Sequence, residues 1–176
     1  MKKLTLKIVY SALCLALCLI LPFLTGQIPE IGNMLCPMHI PVFICGFICG
    51  FPWGMAVGFI APLLRSAIFT MPPLYPVAFA MAFELLAYGF VSGLLYKLLP
   101  KKIPYIYASL VAAMISGRIV WGIVKAILAT IAGSTFPLEV FYTEAVLNAI
   151  PGIILQIVMI PLIIIALRKA RLILND

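Results

Sequence analysis

An all-α, polytopic membrane protein with six transmembrane helices and cytoplasmic N and C termini is predicted by three features of this 176-residue sequence. The chain is 65% hydrophobic and 10% charged, with a mean hydropathy of +1.25, where ordinary soluble domains carry about 25% charged residues. Its apolar stretches are separated by Pro- and Gly-rich breaks, the chemistry of turns. Its cations gather in three clusters that flank those stretches. Hydrocarbon about 30 Å thick needs ~20 apolar residues per helix, so about six crossings fill residues 1–176 as one domain.

Span one covers 5–24, and the break TGQIPEIGN follows it. Its apolar run exceeds the roughly 7–15 residues of a secretory signal core, and no A-x-A-like cleavage site follows, so it is expected to stay in the membrane. Span two, 38–51, is short, which fits a steep crossing or a helix partly in the outer interface. Spans three to six are expected over 53–70, 75–99, 104–131 and 138–167, separated by TMPPLYP, LPKKIP and AGSTFP. Pro62, Pro151 and Pro161 lie within spans and are expected to kink them, each freeing a carbonyl.

Orientation follows from the basic clusters. Lys2, Lys3 and Lys7 precede span one, Lys97, Lys101 and Lys102 lie between spans four and five, and Arg168, Lys169 and Arg171 follow span six. The loops 25–37, 71–74 and 132–137 contain no Lys or Arg. The positive-inside rule therefore places both termini in the cytoplasm. The net charge of +7 is a topology signal, supplemented by attraction to anionic lipid. It is no nucleic-acid footprint, because the cations do not share one face.

Of the 12 Lys and Arg, Arg65, Arg118 and Lys125 are left inside spans, opposite Glu84 and Glu144. Ionisable groups in a span cost at least ~2.5–3.5 kcal/mol and usually face a bundle interior or a watery cavity. A rise of 1.5 Å per residue puts Arg65, Lys125 and Glu144 about 7–9 Å below the outer ends of their spans, Glu84 and Asn148 about 13–15 Å, and Arg118 about 20 Å. Polar groups thus converge from spans three to six and thin out with depth, the pattern of a pocket open to the outside. Arg118, Trp121 and Lys125 share one helical face, as do Glu84 and Tyr88, and Glu144 and Asn148. The alternative is that these charges only glue helices together, which does not explain their confinement to the outer two-thirds of the membrane.

Other signals carry less. His39, the only histidine, stands beside Pro37 and Pro41, where it caps or packs the start of span two, and it has no metal-binding partners in sequence. Cys14, Cys18, Cys36, Cys45 and Cys49 match no C-x-x-C spacing and read as small packing residues. Catalytic constellations are missing: there is no H-E-x-x-H, G-x-S-x-G or G-x-x-x-x-G-K-[ST]. The chain is therefore read as no enzyme, with no cofactor, and it cannot energise transport by hydrolysing ATP itself. Residues 1–88 and 89–176 show no self-similarity of the kind inverted-repeat carriers display.

The segments SALCLALCLILP, TGQIPEIGNMLCPMHIPV, ICGFICGFPWGMAVGFIAPLLRSAIF and MPPLYPVAFAMAFELLAYGFVSGLLYKLLP resemble the S components, the substrate-binding subunits, of energy-coupling factor (ECF) vitamin transporters. The resemblance covers most of the chain and is strongest over residues 1–100. It implies a six-helix subunit of the bacterial cytoplasmic membrane that binds a vitamin or precursor from outside. Its partners would be a transmembrane coupling subunit and two cytoplasmic ATPases. The family's A-x-x-x-A motif on helix one would be Ala12 and Ala16, facing the coupling subunit. Glu84, Tyr88, Trp121, Lys125, Glu144 and Asn148 would contact the solute, IPEIGNMLCPMH would be the lid, and Arg118 would lie below as an ion-pair partner of Glu84. Three cations against two carboxylates favour an anionic group, as in pantothenate. Trp121, Tyr88 and Phe83 could instead stack a heteroaromatic ring, and the chain also resembles S components for cobalamin precursors such as dimethylbenzimidazole or its riboside. Pyrimidine or thiamine-type ligands stay open, as does a self-sufficient ion-coupled carrier.

Overall fold

The computed structural model describes residues 2–25 and 34–175, and all regular structure among them is helical. Five helices are long and apolar enough to cross a membrane, which fits a multi-pass membrane protein. Helix α1 (Lys2–Ile20) tightens into a 3₁₀ turn, Leu21–Thr25, around Pro22. The last carbonyls of a helix need partners from outside it. Arg65 supplies one here, donating to the Leu19 carbonyl while its guanidinium lies 5.0 Å from the Phe23 ring and 5.2 Å from the Phe69 ring.

Helix α2 (His39–Cys49) has 11 residues, about 16 Å of helix, too short to cross hydrocarbon. Val42, Phe43, Cys45, Phe47 and Cys49 are fully buried, so α2 forms the interior of the bundle. Gly50 (φ 97°) turns the chain directly into α3 (Phe51–Phe69), a backbone conformation that side chains disfavour. A Cβ on Gly54 would lie 2.7 Å from the Gly89 carbonyl and 2.8 Å from the Gly46 Cα, so α2, α3 and α4 cross backbone to backbone. The thiols of α1 and α2 pack together, with Cys45 Sγ 3.5 Å from Ser11 Oγ and Cys18 Sγ 3.5 Å from the Met38 carbonyl.

A wide turn, Leu74–Ala78, precedes α4 (Phe79–Leu98), so the regular helix starts later than residue 75. Tyr75 is extended (φ −118°, ψ 135°), as a residue before proline prefers. Helix α4 is the hub, burying residues from Ala80 to Tyr96 against both α3 and α5. Helix α5 (Ile103–Ile131) buries Leu110, Met114, Gly117 and Trp121 and leaves Ile115, Ile119, Ile123 and Ile127 exposed.

The expected helix over 138–167 is interrupted. Leu138–Tyr142 forms α6, Thr143–Leu147 a wide helical turn in which Asn148 N–H reaches the Thr143 carbonyl at 3.0 Å, and α7 runs Ile150–Lys169. Pro151 falls in the first turn of α7, where its missing N–H leaves no helical hydrogen bond unmade. Pro62 and Pro161, by contrast, lie inside α3 and α7. After α7 the tail folds back. Leu174 N–H bonds to the Ile48 carbonyl at 2.8 Å, and the Asn175 amide bonds to the carbonyls of Gly93 (2.9 Å) and Gly46 (3.3 Å). One end of the bundle therefore holds the tail, the Gly50 turn and Lys101. The other holds Cys36, Tyr75 and the segment 132–148.

Candidate functional site

The intramembrane charges form two clusters at different depths. In the deeper one, Glu84 of α4 is the centre. Its Oε1 stands 3.0 Å from Arg118 Nη1 of α5 and accepts the Tyr88 hydroxyl at 2.7 Å. Glu84 and Tyr88 are 1% and 2% exposed, so this carboxylate is reached through its partners and not from solvent. Gly117, next to Arg118, makes room for the ring: a Cβ there would collide with Tyr88. Phe43 of α2 stacks on the other side of Tyr88, 4.7 Å between centroids.

The start of α2 is tied into the same cluster. His39 Nδ1 lies 3.1 Å from the Cys36 carbonyl, and its Nε2 lies 3.6 Å from Glu84 Oε1. Arg118 Nη2 also donates to Cys36 Sγ at 3.8 Å. Burial pushes the Cys36 thiol up to about 11, so a neutral thiol faces the guanidinium. Of the expected lid, Met34–His39 is described and enters this cluster. The remainder, 28–33, lies outside the described residues.

The shallower cluster surrounds Lys125, two turns along α5 from Arg118. Lys125 Nζ is 3.3 Å from Glu144 Oε2 on the wide turn, 5.1 Å from the Trp121 centroid and 6.0 Å from that of Phe136. Trp121 is buried and meets the Phe136 and Phe141 rings at 6.0 and 6.2 Å. A cavity of about 300 Å³ opens beside it, lined by Lys125, Phe136, Tyr75, Leu128 and the Ser134 and Thr135 segment. Tyr75 donates to the Leu128 carbonyl at 2.9 Å and forms one wall. The arrangement places an ammonium, the Tyr75, Ser134 and Thr135 hydroxyls and aromatic rings around a half-open, largely apolar space.

The residues expected from sequence therefore divide. Lys125, Glu144 and Trp121 come together, and so do Glu84, Tyr88 and Arg118. Asn148 is exposed just beyond the wide turn. Between Glu144 and Asn148 the backbone forms a wide turn in place of the regular α-helix expected there. Arg65 belongs to neither cluster, being held by Leu19, Phe23 and Phe69. Phe83 faces Phe59 of α3 at 5.6 Å, away from Trp121. Sequence reasoning overlooked Phe136, Tyr75 and Cys36. The first two are aromatic residues in Pro-flanked loops, a signal that was legible.

The family model described as ECF transporter, substrate-specific component, matches residues 6–167. No curated protein and no solved structure matches the chain.

Proposed function

We propose, since this chain belongs to the substrate-specific components of ECF transporters, that it captures a vitamin or vitamin precursor outside the cell for ATP-driven uptake. The family consists of transporter subunits rather than enzymes, working with a small-molecule substrate and the other components of an ECF module. The observation that carries the reading is the cavity of about 300 Å³ beside Lys125, at the end of the bundle opposite the tail.

The cations support the orientation. Lys7, Lys101 and Arg168 gather at the tail end, where Cys49 Sγ is 3.8 Å from the Lys7 carbonyl and Arg168 bonds to the Lys101 carbonyl. The positive-inside rule makes that end cytoplasmic. The five membrane-length helices, the buried α2 and the short α6 then fill one domain, in which α2 does not need to span the bilayer alone. Trp121, Lys125, Glu144 and Asn148 stand on the solute's side. Glu84 and Tyr88 form the floor with Arg118, and Met34–His39 ties the end of the lid to that floor. Ala12 and Ala16 are exposed, while Ser11, Cys14 and Cys18 of the same helix face α2. The A-x-x-x-A pair is thus free to meet a coupling subunit, and two ATPases beyond it would supply the energy.

The test is a thermal-shift screen of the detergent-purified chain against B vitamins and their precursors. A ligand at 100 times its dissociation constant adds about 2.7 kcal/mol of stability. Lys125→Ala is expected to remove that shift while leaving the unliganded melting temperature nearly unchanged. Accumulation of solute in liposomes under an ion gradient, with no partner subunits, would establish a self-sufficient carrier instead.

A further inference from the structure

We infer that the solute carries a carboxylate or similar oxyanion, and that Glu144 is the internal anion it displaces from Lys125. This rests on the receptor reading above and names the chemistry of its ligand.

Counting charges favours an anion for a reason the structure does not supply. The surplus cation is Arg65, which is bound to α1 and contributes nothing to the cavity. Each of the other two cations has its own carboxylate. What distinguishes those two pairs is whether the carboxylate can leave. Glu84 is 2% exposed at its side chain and also holds the Tyr88 hydroxyl, so releasing Arg118 would strand a buried charge. Glu144 is 42% exposed at its side chain, against 16% for Lys125. Detached, the carboxylate stays at the open end of the bundle and is not enclosed by protein, whereas the ammonium would stay between rings that cannot supply a full counter-charge. The pair is asymmetric, and Glu144 is the member that can be exchanged.

Its position allows the exchange. Glu144 is carried on the wide turn between Pro137 and Pro151, separate from the regular turns of α5 that hold Lys125. Lys125 itself lines the cavity. An entering oxyanion therefore meets the ammonium from the cavity side, with the Ser134 and Thr135 segment beside it, and Glu144 swings outward. A neutral solute offers Lys125 no replacement charge, and a cationic one would have to compete with Lys125 for Glu144.

Matched pairs that differ only in the charged group provide the test: pantothenate against pantothenol, nicotinate against nicotinamide, and biotin against its amide, titrated into the full-length purified chain. The expected result is binding of an acid in preference to its neutral partner. Glu144→Gln should tighten the acid by roughly three- to fivefold, the range an exchanged part-exposed ion pair allows, with no gain for the neutral partner. Lys125→Gln should erase the acid preference and Lys125→Arg should retain it, which separates charge from folding. Weaker acid binding in Glu144→Gln overturns the inference by making Glu144 a direct ligand contact. Equal binding of a neutral or cationic vitamin also overturns it and leaves the receptor reading standing. Absence of binding by every vitamin and analogue, in wild type and Glu144→Gln alike, overturns both.

Discussion

Glu84 and Arg118 meet at 3.0 Å across α4 and α5, and the same carboxylate oxygen accepts the Tyr88 hydroxyl at 2.7 Å. The pair also joins the start of α2 to the bundle through His39 and Cys36.

Breaking the pair from one side is expected to cost about 3–5 kcal/mol, because a buried charge is left uncompensated. Glu84→Leu and Arg118→Met should each lower stability by that order in equilibrium unfolding of the micellar protein. The double variant should lose less than either single one, since no orphan charge remains. Simple additivity of the two single losses would contradict the pairing.

Gly89→Ala is expected to destabilise by about 3 kcal/mol, the upper end of ordinary overpacking, because its Cβ would collide with the backbone of Gly54 and neither helix can give. Gly133→Ala is the control. Its φ of +70° strains a side chain, but nothing lies within 4 Å, so the cost should stay near 1–2 kcal/mol. Melting temperatures in one detergent compare the two directly.

Asn175→Ala removes the donor to the Gly46 and Gly93 carbonyls and should cost roughly 1–3 kcal/mol. It should also release the tail, read as faster carboxypeptidase digestion of the folded protein. Unchanged digestion would mean that the Leu174 bond to Ile48 holds the tail by itself.

Ala12→Leu and Ala16→Leu lie on the exposed face of α1 and should change the stability of the isolated chain by no more than about 0.5 kcal/mol. Ligand binding by the isolated chain should also be unchanged. Co-purification with a transmembrane coupling subunit should fall. Loss of ligand binding in these variants would place the motif in the solute site and not at a partner surface.

Much of the site was legible as depth. Lys125 and Glu144 were expected in one layer and meet at 3.3 Å, and the expected link between Arg118 and Glu84 is present. Rise per residue is a one-dimensional quantity that hydropathy and turn residues are enough to anchor. The unbroken helix expected over 138–167 is not present: the wide turn Thr143–Leu147 intervenes and α7 begins at Ile150. The charge count failed at Arg65, whose partner is a backbone carbonyl of α1 that no residue-type inventory records.

That the chain is helical and apolar, and where most of its helices are separated, could be read from the amino-acid sequence alone. Periodicity and composition act locally, through side-chain hydration and backbone dihedrals. Only the assembled bundle shows that the short α2 is its interior, which carboxylate is enclosed and which is exposed, and that Tyr75 and Phe136 line the cavity. Those outcomes depend on how far one helix is rotated and how closely it approaches its neighbour. Here contacts such as Gly54 against Gly46 and Gly89 set both, and they exist only once all three helices are in place.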